Sequence, residues 1–91
     1  MTDPAAPQTL RADKWLWHAR FFKTRALSAR MIEGGKLRVN SGKVSKAGRA
    51  IRPGDVLTIT LPGGVRVVRV LALGTRRGPA SEAQALYEEM T

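Results

Sequence analysis

The chain has 91 residues, no cysteine and a formal net charge of +9. This length predicts one small domain with too little interior for a deep substrate cavity, which disfavours an enzyme. Without cysteine, a disulfide framework and a thiolate zinc site are excluded from this sequence, and a small domain without such staples fits a reducing compartment. We therefore expect a cytoplasmic protein that is not an enzyme and needs no cofactor.

The positive charge is concentrated in one segment. Arg11 to Arg52 contains twelve Lys or Arg residues against Asp13 and Glu33, whereas residues 53–91 carry no net charge. A field of one sign on a compact element is typical of a nucleic-acid-binding surface. The alternative is a solvated charged face, but solubility does not require charges of a single sign.

The first residues are predicted to form a flexible N-terminal tail over residues 1–9. They have neither a basic region nor an apolar core of the kind that a secretory signal carries. No apolar run in the chain approaches the roughly 18 residues needed to cross a bilayer. We therefore expect no membrane partner.

Two helices are predicted after this tail. Apolar residues at helical spacing indicate a first helix over residues 10–20 that buries Trp15 and Leu16. Thr24 is the predicted N-cap of a second helix, which ends at Gly34. The sequence therefore predicts two short helices joined by a tight corner.

Period-two alternation then indicates a small antiparallel sheet. The predicted segments are a strand over residues 36–39, a turn at residues 40–42, a basic loop over residues 46–52, and a hairpin formed by residues 56–61 and 65–73. The alternation is interrupted at Val67 and Val68, which is compatible with a β-bulge.

Residues 74–91 are predicted to form a loop and a third helix that begins at Ser81. Leu86 and Met90 share one face of that helix, which we expect to dock on the rest of the domain. The predicted fold is α+β, with two N-terminal helices packed on a small antiparallel sheet and a C-terminal helix. Residues 10–73 would form the binding domain.

Three side chains have competing interpretations. Asp13 is predicted to be a structural ion-pair partner rather than a catalytic acid. His18, the single histidine, has no second ligand or carboxylate pair for a metal site or a triad, and we expect it on a helix surface. Trp17 either packs beneath the helix connection or offers a stacking platform to an unpaired base, and packing is favoured.

The lysines and arginines of residues 11–52 are expected to contact phosphate groups wherever several of them share a surface. Lys23 and Arg25 flank Thr24 at a predicted helix N-terminus, where a phosphate would be gripped from three sides. Arg76 and Arg77 either extend the basic surface or belong to a solvated loop. The full predicted binding set is Arg11, Lys14, Arg20, Lys23, Thr24, Arg25, Arg30, Lys36, Arg38, Asn40, Lys43, Lys46 and Arg49.

Several motifs in this segment occur in a characteristic order. They are Arg11-x-Asp13-Lys14-x-Leu16, Lys23-Thr24-Arg25 with Ala29, Ile32-x-x-Gly35, Val39-Asn40, Lys43-Val44, Lys46 and Ile51-x-Pro53-Gly54-Asp55. In this order they resemble the RNA-binding domain first seen in small-subunit ribosomal protein S-four, also called the αL motif. The resemblance implies two helices followed by a small sheet, and binding to structured RNA, chiefly ribosomal or transfer RNA.

Further stretches narrow the resemblance. Residues 13–17, 19–25 and 76–89 are similar to the bacterial heat-shock protein 15 family, although that family's Asn-Gly turn is here Asn40-Ser41-Gly42. The resemblance implies a ribosome-associated, non-catalytic factor. It would bind ribosomal RNA of the free large subunit, and with it peptidyl-tRNA, after heat or translation stress. We expect a monomer.

Two other classes of function stay open at this stage. The same RNA-binding domain is appended to pseudouridine synthases and to enzymes that ligate transfer RNA, but no catalytic domain lies within these residues. A DNA-binding helix-turn-helix would need base-reading Asn or Gln on its second helix, and residues 25–33 contain neither. Non-specific binding to DNA in vitro is expected in either case.

Overall fold

The fold is taken from a computed structural model that describes residues 9–90. The predicted N-terminal tail therefore lies outside the described residues, except for Thr9. The elements in chain order are β1 (Leu10–Arg11), α1 (Ala12–His18), α2 (Arg25–Glu33), β2 (Leu37–Val39), β3 (Gly42–Val44), β4 (Ala50–Ile51), β5 (Val56–Leu61), β6 (Gly64–Val70), α3 (Ala80–Gln84) and β7 (Tyr87–Glu89). The α+β class predicted from the sequence is confirmed.

Five of the strands form one antiparallel sheet in the order β3-β2-β5-β6-β7, and β1 pairs separately with β4. Alternation along the strands sends one set of apolar side chains to the core face. That set is Leu37, Val39, Val44, Leu57, Ile59, Val68 and Val70, all buried. The opposite face of the sheet is left to polar and β-branched residues.

The two helices complete the core on the apolar side of the sheet. Trp15 and Leu16 of α1 and Ile32 of α2 are buried in the same cluster as the inward-facing strand residues. Trp15 Nε1 donates a hydrogen bond to the Ala72 carbonyl at 2.9 Å, which satisfies the one polar atom of this large side chain. The predicted N-cap is confirmed, since Thr24 Oγ1 accepts from the backbone N–H of Leu27.

The first helix is shorter than the predicted range of residues 10–20. Leu10 pairs with Ile51 and Arg11 with Ala50, so the start of the range is a strand. At the other end, Arg20 has a φ of 64° and the N–H of Phe21 returns to the Leu16 carbonyl at 3.0 Å. This is a Schellman-type helix end, formed here without glycine. Part of the predicted basic loop, Ala50–Ile51, is correspondingly β4.

The turn after β2 is a two-residue hairpin connection. Asn40 and Ser41 have φ values of 51° and 72°, and Val39 pairs with Gly42 across the turn. Positive φ at both central positions is the type I′ geometry that matches the twist of a hairpin. Asn40 tolerates this region well, so the displaced glycine does not prevent a tight turn.

The bulge considered at Val67 and Val68 does not form. Val67 pairs with Thr58 and Val68 with Leu57, one residue against one. The irregular pattern has another cause: Arg66 faces the core side at the end of the sheet, where its guanidinium carbon lies 4.9 Å from the Phe21 ring centroid. A charged residue on the inner face, and not an extra residue, interrupts the apolar alternation.

The predicted C-terminal helix is confirmed only in its first part. α3 ends at Gln84, and Tyr87–Glu89 forms β7 against β6 instead of continuing the helix. The open edge of β6 offers backbone partners that helical spacing alone does not reveal, and Arg66 forms an ion pair with Glu89 across it. The expected docking face is therefore half helix and half strand.

The expectation that His18 lies on the surface is wrong. His18 is 1% exposed, and its Nδ1 lies 3.3 Å from the Leu73 carbonyl. Burial lowers the pKa of this imidazole below its ordinary value of 6.5, and Lys14 and Arg25 add to the lowering. Trp17 is half-buried, with its ring centroid 5.6 Å from that of His18, which accords with the packing alternative.

Candidate nucleic-acid interface

Asp13 is a buried carboxylate surrounded by cations. Its two oxygens accept hydrogen bonds from Arg11 Nε and Nη2, each at 3.0 Å, and Oδ1 also accepts from the backbone N–H of Lys14. Arg25 Nε lies 3.7 Å from Oδ2. The predicted role as an ion-pair partner is confirmed. Hydrogen bonding to Asp13 raises the pKa of the Arg11 guanidinium above its ordinary value and fixes its direction.

The loop between β3 and β4 is attached to the start of α1. The backbone N–H groups of Ala12 and Asp13 donate to the carbonyls of Arg49 and Ala47 at 2.9 and 3.1 Å. These are helix-start donors that would otherwise lack a partner within α1. The loop is thereby held beside Arg11, and the positions of Lys46 and Arg49 are fixed by backbone contacts.

These contacts create a cavity that we call the cationic pocket. Its lining residues are Arg11, Lys43, Val44, Ser45, Lys46, Gly48 and Arg49, and its volume is about 540 Å³. Four cations from β1, β3 and the loop converge on it, and none of the lining residues is acidic. A concave site of this kind raises the local concentration of anions such as phosphate groups.

The start of α2 is a second group of predicted site residues. Thr24 is occupied as the N-cap, and Arg25 is exposed while its Nε remains close to Asp13. Through that shared carboxylate, Arg25 is tied to Arg11 of the cationic pocket. Lys23 is exposed but lies at the rim of a different, mainly apolar cavity with Leu27 and other residues. The three-sided phosphate grip stays a prediction.

The sheet carries the next predicted residues. Lys36 and Arg38 are exposed, and Arg38 is the cross-strand neighbour of Lys43. Asn40 is differently engaged, because its Oδ1 accepts from the Val56 N–H at 3.0 Å and its Nδ2 donates to Asp55 at 3.1 Å. The Asn40 side chain therefore stabilises the hairpin.

The remaining predicted cations lie away from the pocket lining. Arg20 Nε donates to the Gly78 carbonyl at 2.6 Å, so this side chain is anchored on the C-terminal segment. Lys14 is half-buried on α1, and Arg30 is exposed in the last turn of α2. Arg76, for which two interpretations were open, pairs with Glu82 through Nε and Nη2.

Three of the residues that line the cationic pocket were not predicted as site residues. Val44 follows Lys43, and Ser45 and Gly48 lie between the lysines and Arg49. The available signal was the spacing of residues 43–49, in which small residues separate the cations and leave room for a ligand. Arg69, another exposed cation, was also missed because only the strand register shows which cations it accompanies.

Among residues 9–90, no group of three or more His, Cys, Asp or Glu side chains could hold a metal ion. Within the same range, no helix is both long enough and apolar enough to cross a membrane.

The S4 domain model matches residues 10–57, from β1 to the first residues of β5. This range covers α1, α2 and every residue that lines the cationic pocket. The chain is therefore an S4-domain protein.

Individual relatives place it more narrowly. Heat shock protein 15 of Escherichia coli K12 is 50% identical over 80 residues, which is 88% of this chain and 59% of the relative. The heat shock protein 15 homolog of Aeromonas salmonicida is 47% identical, over 98% of this chain and 67% of the relative. The chain belongs to the heat shock protein 15 family. It spans about three fifths of the length of the Escherichia coli relative.

The chain is also similar to a solved structure and to a relative with a different name. The fold superimposes with a TM-score of 0.85 on a solved structure described as trimeric heat shock protein 15 of Vibrio cholerae, at 36% identity over 90% of this chain and 82% of that one. The RQC P-site tRNA stabilizing factor of Halalkalibacterium halodurans is 36% identical over 87% of this chain and 88% of its own length. The trimeric relative gives no support to the expected monomer.

Proposed function

We propose that this protein binds ribosomal RNA of the large ribosomal subunit through the cationic pocket. The observation that carries the proposal is the convergence of Arg11, Lys43, Lys46 and Arg49 on one cavity whose lining includes no acidic residue. Backbone bonds hold the loop that carries Lys46 and Arg49, and Asp13 orients Arg11, so part of the site is ordered before any ligand arrives.

The mode of recognition follows from the chemistry of the pocket. Lysine and arginine neutralise backbone phosphates and release counterions, which gives affinity that depends on salt and little on base sequence. Folded RNA is recognised mainly by its shape and its sugar-phosphate surface. The protein would act as a rigid, non-catalytic binder that selects RNA whose phosphates match the spacing of its cations.

The more specific role rests on the relatives. One of them is named a P-site tRNA stabilizing factor, and others are named heat shock proteins. We propose that the chain acts on large subunits that retain a nascent chain on transfer RNA after heat or translation stress. Peptidyl-tRNA would then lie next to the bound protein.

Co-sedimentation with purified large subunits tests the site. For Lys46→Gln with Arg49→Gln, we expect loss of two phosphate contacts, so the slope of log affinity against log salt should become shallower by about 1.4–1.8. The matched control is Arg52→Gln with Arg76→Gln, which removes the same formal charge from exposed residues outside the pocket lining. Equal slopes for the two double variants would contradict the assignment of the pocket.

A competition experiment separates RNA from DNA. Preformed complexes of the protein with large subunits receive one of two competitors, duplex DNA or ribosomal RNA extracted from large subunits, at equal phosphate concentration. We expect the RNA to release the protein from the subunits at a lower concentration, because recognition of the folded RNA adds to the affinity that phosphate contacts give. Equal competition would favour a general polyanion binder.

A further inference from the structure

The side of the five-stranded sheet that faces away from the core is exposed and basic. We call it the outer sheet face and define it by its outward-facing residues, which are Arg38, Lys43, Val56, Thr58, Thr60, Val65, Val67 and Arg69. Most of them alternate along their strand with a buried core residue, such as Leu37, Leu57 or Val68.

The strand register places these residues in rows. Lys43 pairs with Arg38, Arg38 with Thr58, and Thr58 with Val67, so one row crosses β3, β2, β5 and β6. Arg69 lies two residues further along β6, on the same side of the sheet. With strands about 4.8 Å apart and about 3.4 Å per residue, the Cα atoms of Lys43 and Arg69 are about 16 Å apart.

The charge on this face has a single sign over most of its width. The outward-facing positions of β2, β3, β5 and β6 in the described chain carry no acidic residue, and Lys36 immediately before β2 adds a further exposed cation. Glu88 of β7 is the cross-strand neighbour of Arg69 at the far edge. The cations therefore extend from Lys43 on β3, at one edge of the sheet, to Arg69 on β6.

We propose that the outer sheet face is a second RNA-binding surface, on which a segment of RNA backbone lies that is distinct from the segment in the cationic pocket. Lys43 belongs to both surfaces, so the two RNA segments would meet at the β3 edge. The inference rests on the proposed function in that the anion is taken to be RNA. One domain would then hold two parts of a folded RNA, or two RNA strands, at a fixed separation.

The composition of the face favours a polyanion over a membrane surface. Protein faces that enter a bilayer carry large apolar anchors such as Trp, Phe or Leu on their apolar side. Here the outward-facing residues between the cations are Val56, Thr58, Thr60, Val65 and Val67, which include no Trp, Phe or Leu. The hydroxyl groups of Thr58 and Thr60 suit the wide and shallow minor groove of an RNA helix, where 2′-hydroxyls are accessible.

The first test compares double variants for binding to ribosomal RNA extracted from purified large subunits. For Arg38→Gln with Arg69→Gln we expect at least a tenfold rise in Kd at about 0.1 M salt and a salt slope shallower by about 1.4–1.8. Arg52→Gln with Arg76→Gln is the control of equal charge. Lys36→Gln with Arg38→Gln leaves Arg69 and its cross-strand neighbour Glu88 unchanged, and it should also raise Kd.

The second test locates the contacts directly. Because the chain contains no cysteine, single variants Thr58→Cys and Ser45→Cys can each carry one photo-cross-linker, on the outer sheet face and in the cationic pocket respectively. We expect both to cross-link large-subunit RNA, at two separate sets of nucleotides. Cross-links from Ser45→Cys alone would overturn the proposal.

The outcomes separate this inference from the proposed function. If only the pocket variant Lys46→Gln with Arg49→Gln loses affinity, the second surface is refuted and the proposed function stands. If neither double variant differs from the control, both are refuted. If Arg38→Gln with Arg69→Gln binds RNA normally but loses binding to vesicles of anionic phospholipid, the face is a membrane contact and the inference is wrong.

Discussion

Asp13 orients Arg11 and lies close to Arg25, while it is itself almost inaccessible to solvent. The carboxylate is 3% exposed and accepts a bidentate hydrogen bond from Arg11, with Arg25 nearby. The fork of an arginine matches a carboxylate at two points, which fixes the plane of its guanidinium. The acidic residue in this basic surface thus prepares Arg11 for an anion.

We predict that Asp13→Asn weakens RNA binding although it raises the net charge by one. An amide cannot accept two charge-assisted hydrogen bonds, so Arg11 loses its orientation, and stability should fall by about 1–3 kcal/mol. RNA titration and urea denaturation measure the two effects. Glu33→Gln, at an exposed position, makes the same change of charge and should bind at least as tightly as the wild type. Tighter binding by Asp13→Asn would contradict this account.

His18 is a buried base that is neutral in the folded protein at neutral pH. Its folded-state pKa is lowered, mainly by burial, from an ordinary value of 6.5. The unfolded chain therefore binds a proton more readily than the folded one, and the free energy of unfolding should fall as the pH drops below about 6.5. Protonation would also place a third cation beside Lys14 and Arg25.

Urea denaturation between pH 7.5 and pH 5 measures this effect. We expect the free energy of unfolding to decline through that window in the wild type, and to decline less in His18→Gln, which cannot be protonated. The comparison uses the pH dependence of each variant, so a constant loss of stability in His18→Gln does not affect it. Parallel profiles would exclude His18 as the titrating group.

At the scale of elements, the C-terminal segment changes from helix to strand within a few residues. Tyr87 pairs with Val70 and its ring centroid lies 5.0 Å from that of Phe21, while Arg66 contacts both rings. These contacts join β7 to the connection between α1 and α2 as well as to β6. The free edge of β6 and the aromatic cluster together outweigh the helical spacing of the segment.

Substitutions at Glu88 distinguish the strand from the predicted helix. Glu88 is exposed in the middle of β7, so Glu88→Val and Glu88→Ala lose the same carboxylate. In a strand the β-branched valine is favoured, by up to about 1 kcal/mol. In a helix alanine is favoured instead. We expect Glu88→Val to have the higher melting temperature. A higher melting temperature for Glu88→Ala would support the helix predicted from the sequence.

At the scale of the whole molecule, the segment after β6 completes the structure that positions the proposed binding surface. Trp15 Nε1 and Arg20 Nε donate to carbonyls of Ala72 and Gly78, and Leu86 is buried in the core cluster. Residues 74–90 line none of the cationic pocket. Their effect on RNA binding would therefore be indirect, through the stability of the helices. A division between a binding domain of residues 10–73 and a docked extension stays a prediction.

Truncation after residue 73 tests that division. We expect the shortened chain to melt at a lower temperature and to lose RNA affinity in proportion to the unfolded fraction, because it lacks β7 and the cover over α1. Thermal unfolding followed by circular dichroism, with RNA titration below and above the midpoint, measures both. Arg20→Gln, which removes a single contact with the segment, is the milder control. A truncated chain as stable as the full one would show that residues 10–73 suffice.

Local pattern was sufficient to predict that α1, α2 and the β5–β6 hairpin exist, although not the bounds of α1, because side-chain periodicity and the Thr24 cap act within a few residues of one another. The concentration of positive charge in residues 11–52 was also evident from the sequence. Sequence similarity rather than local physics indicated the family.

The tertiary structure alone decided what depends on distant parts of the chain. Leu10–Arg11 became a strand because β4 lies beside it, His18 was buried by the segment around Leu73, and Tyr87–Glu89 joined the sheet because β6 had an open edge. The same holds for the twelve cations of the basic segment. Strand register and backbone bonds place some of them at the cationic pocket, some on the outer sheet face and some in structural contacts, and no local pattern carries that information.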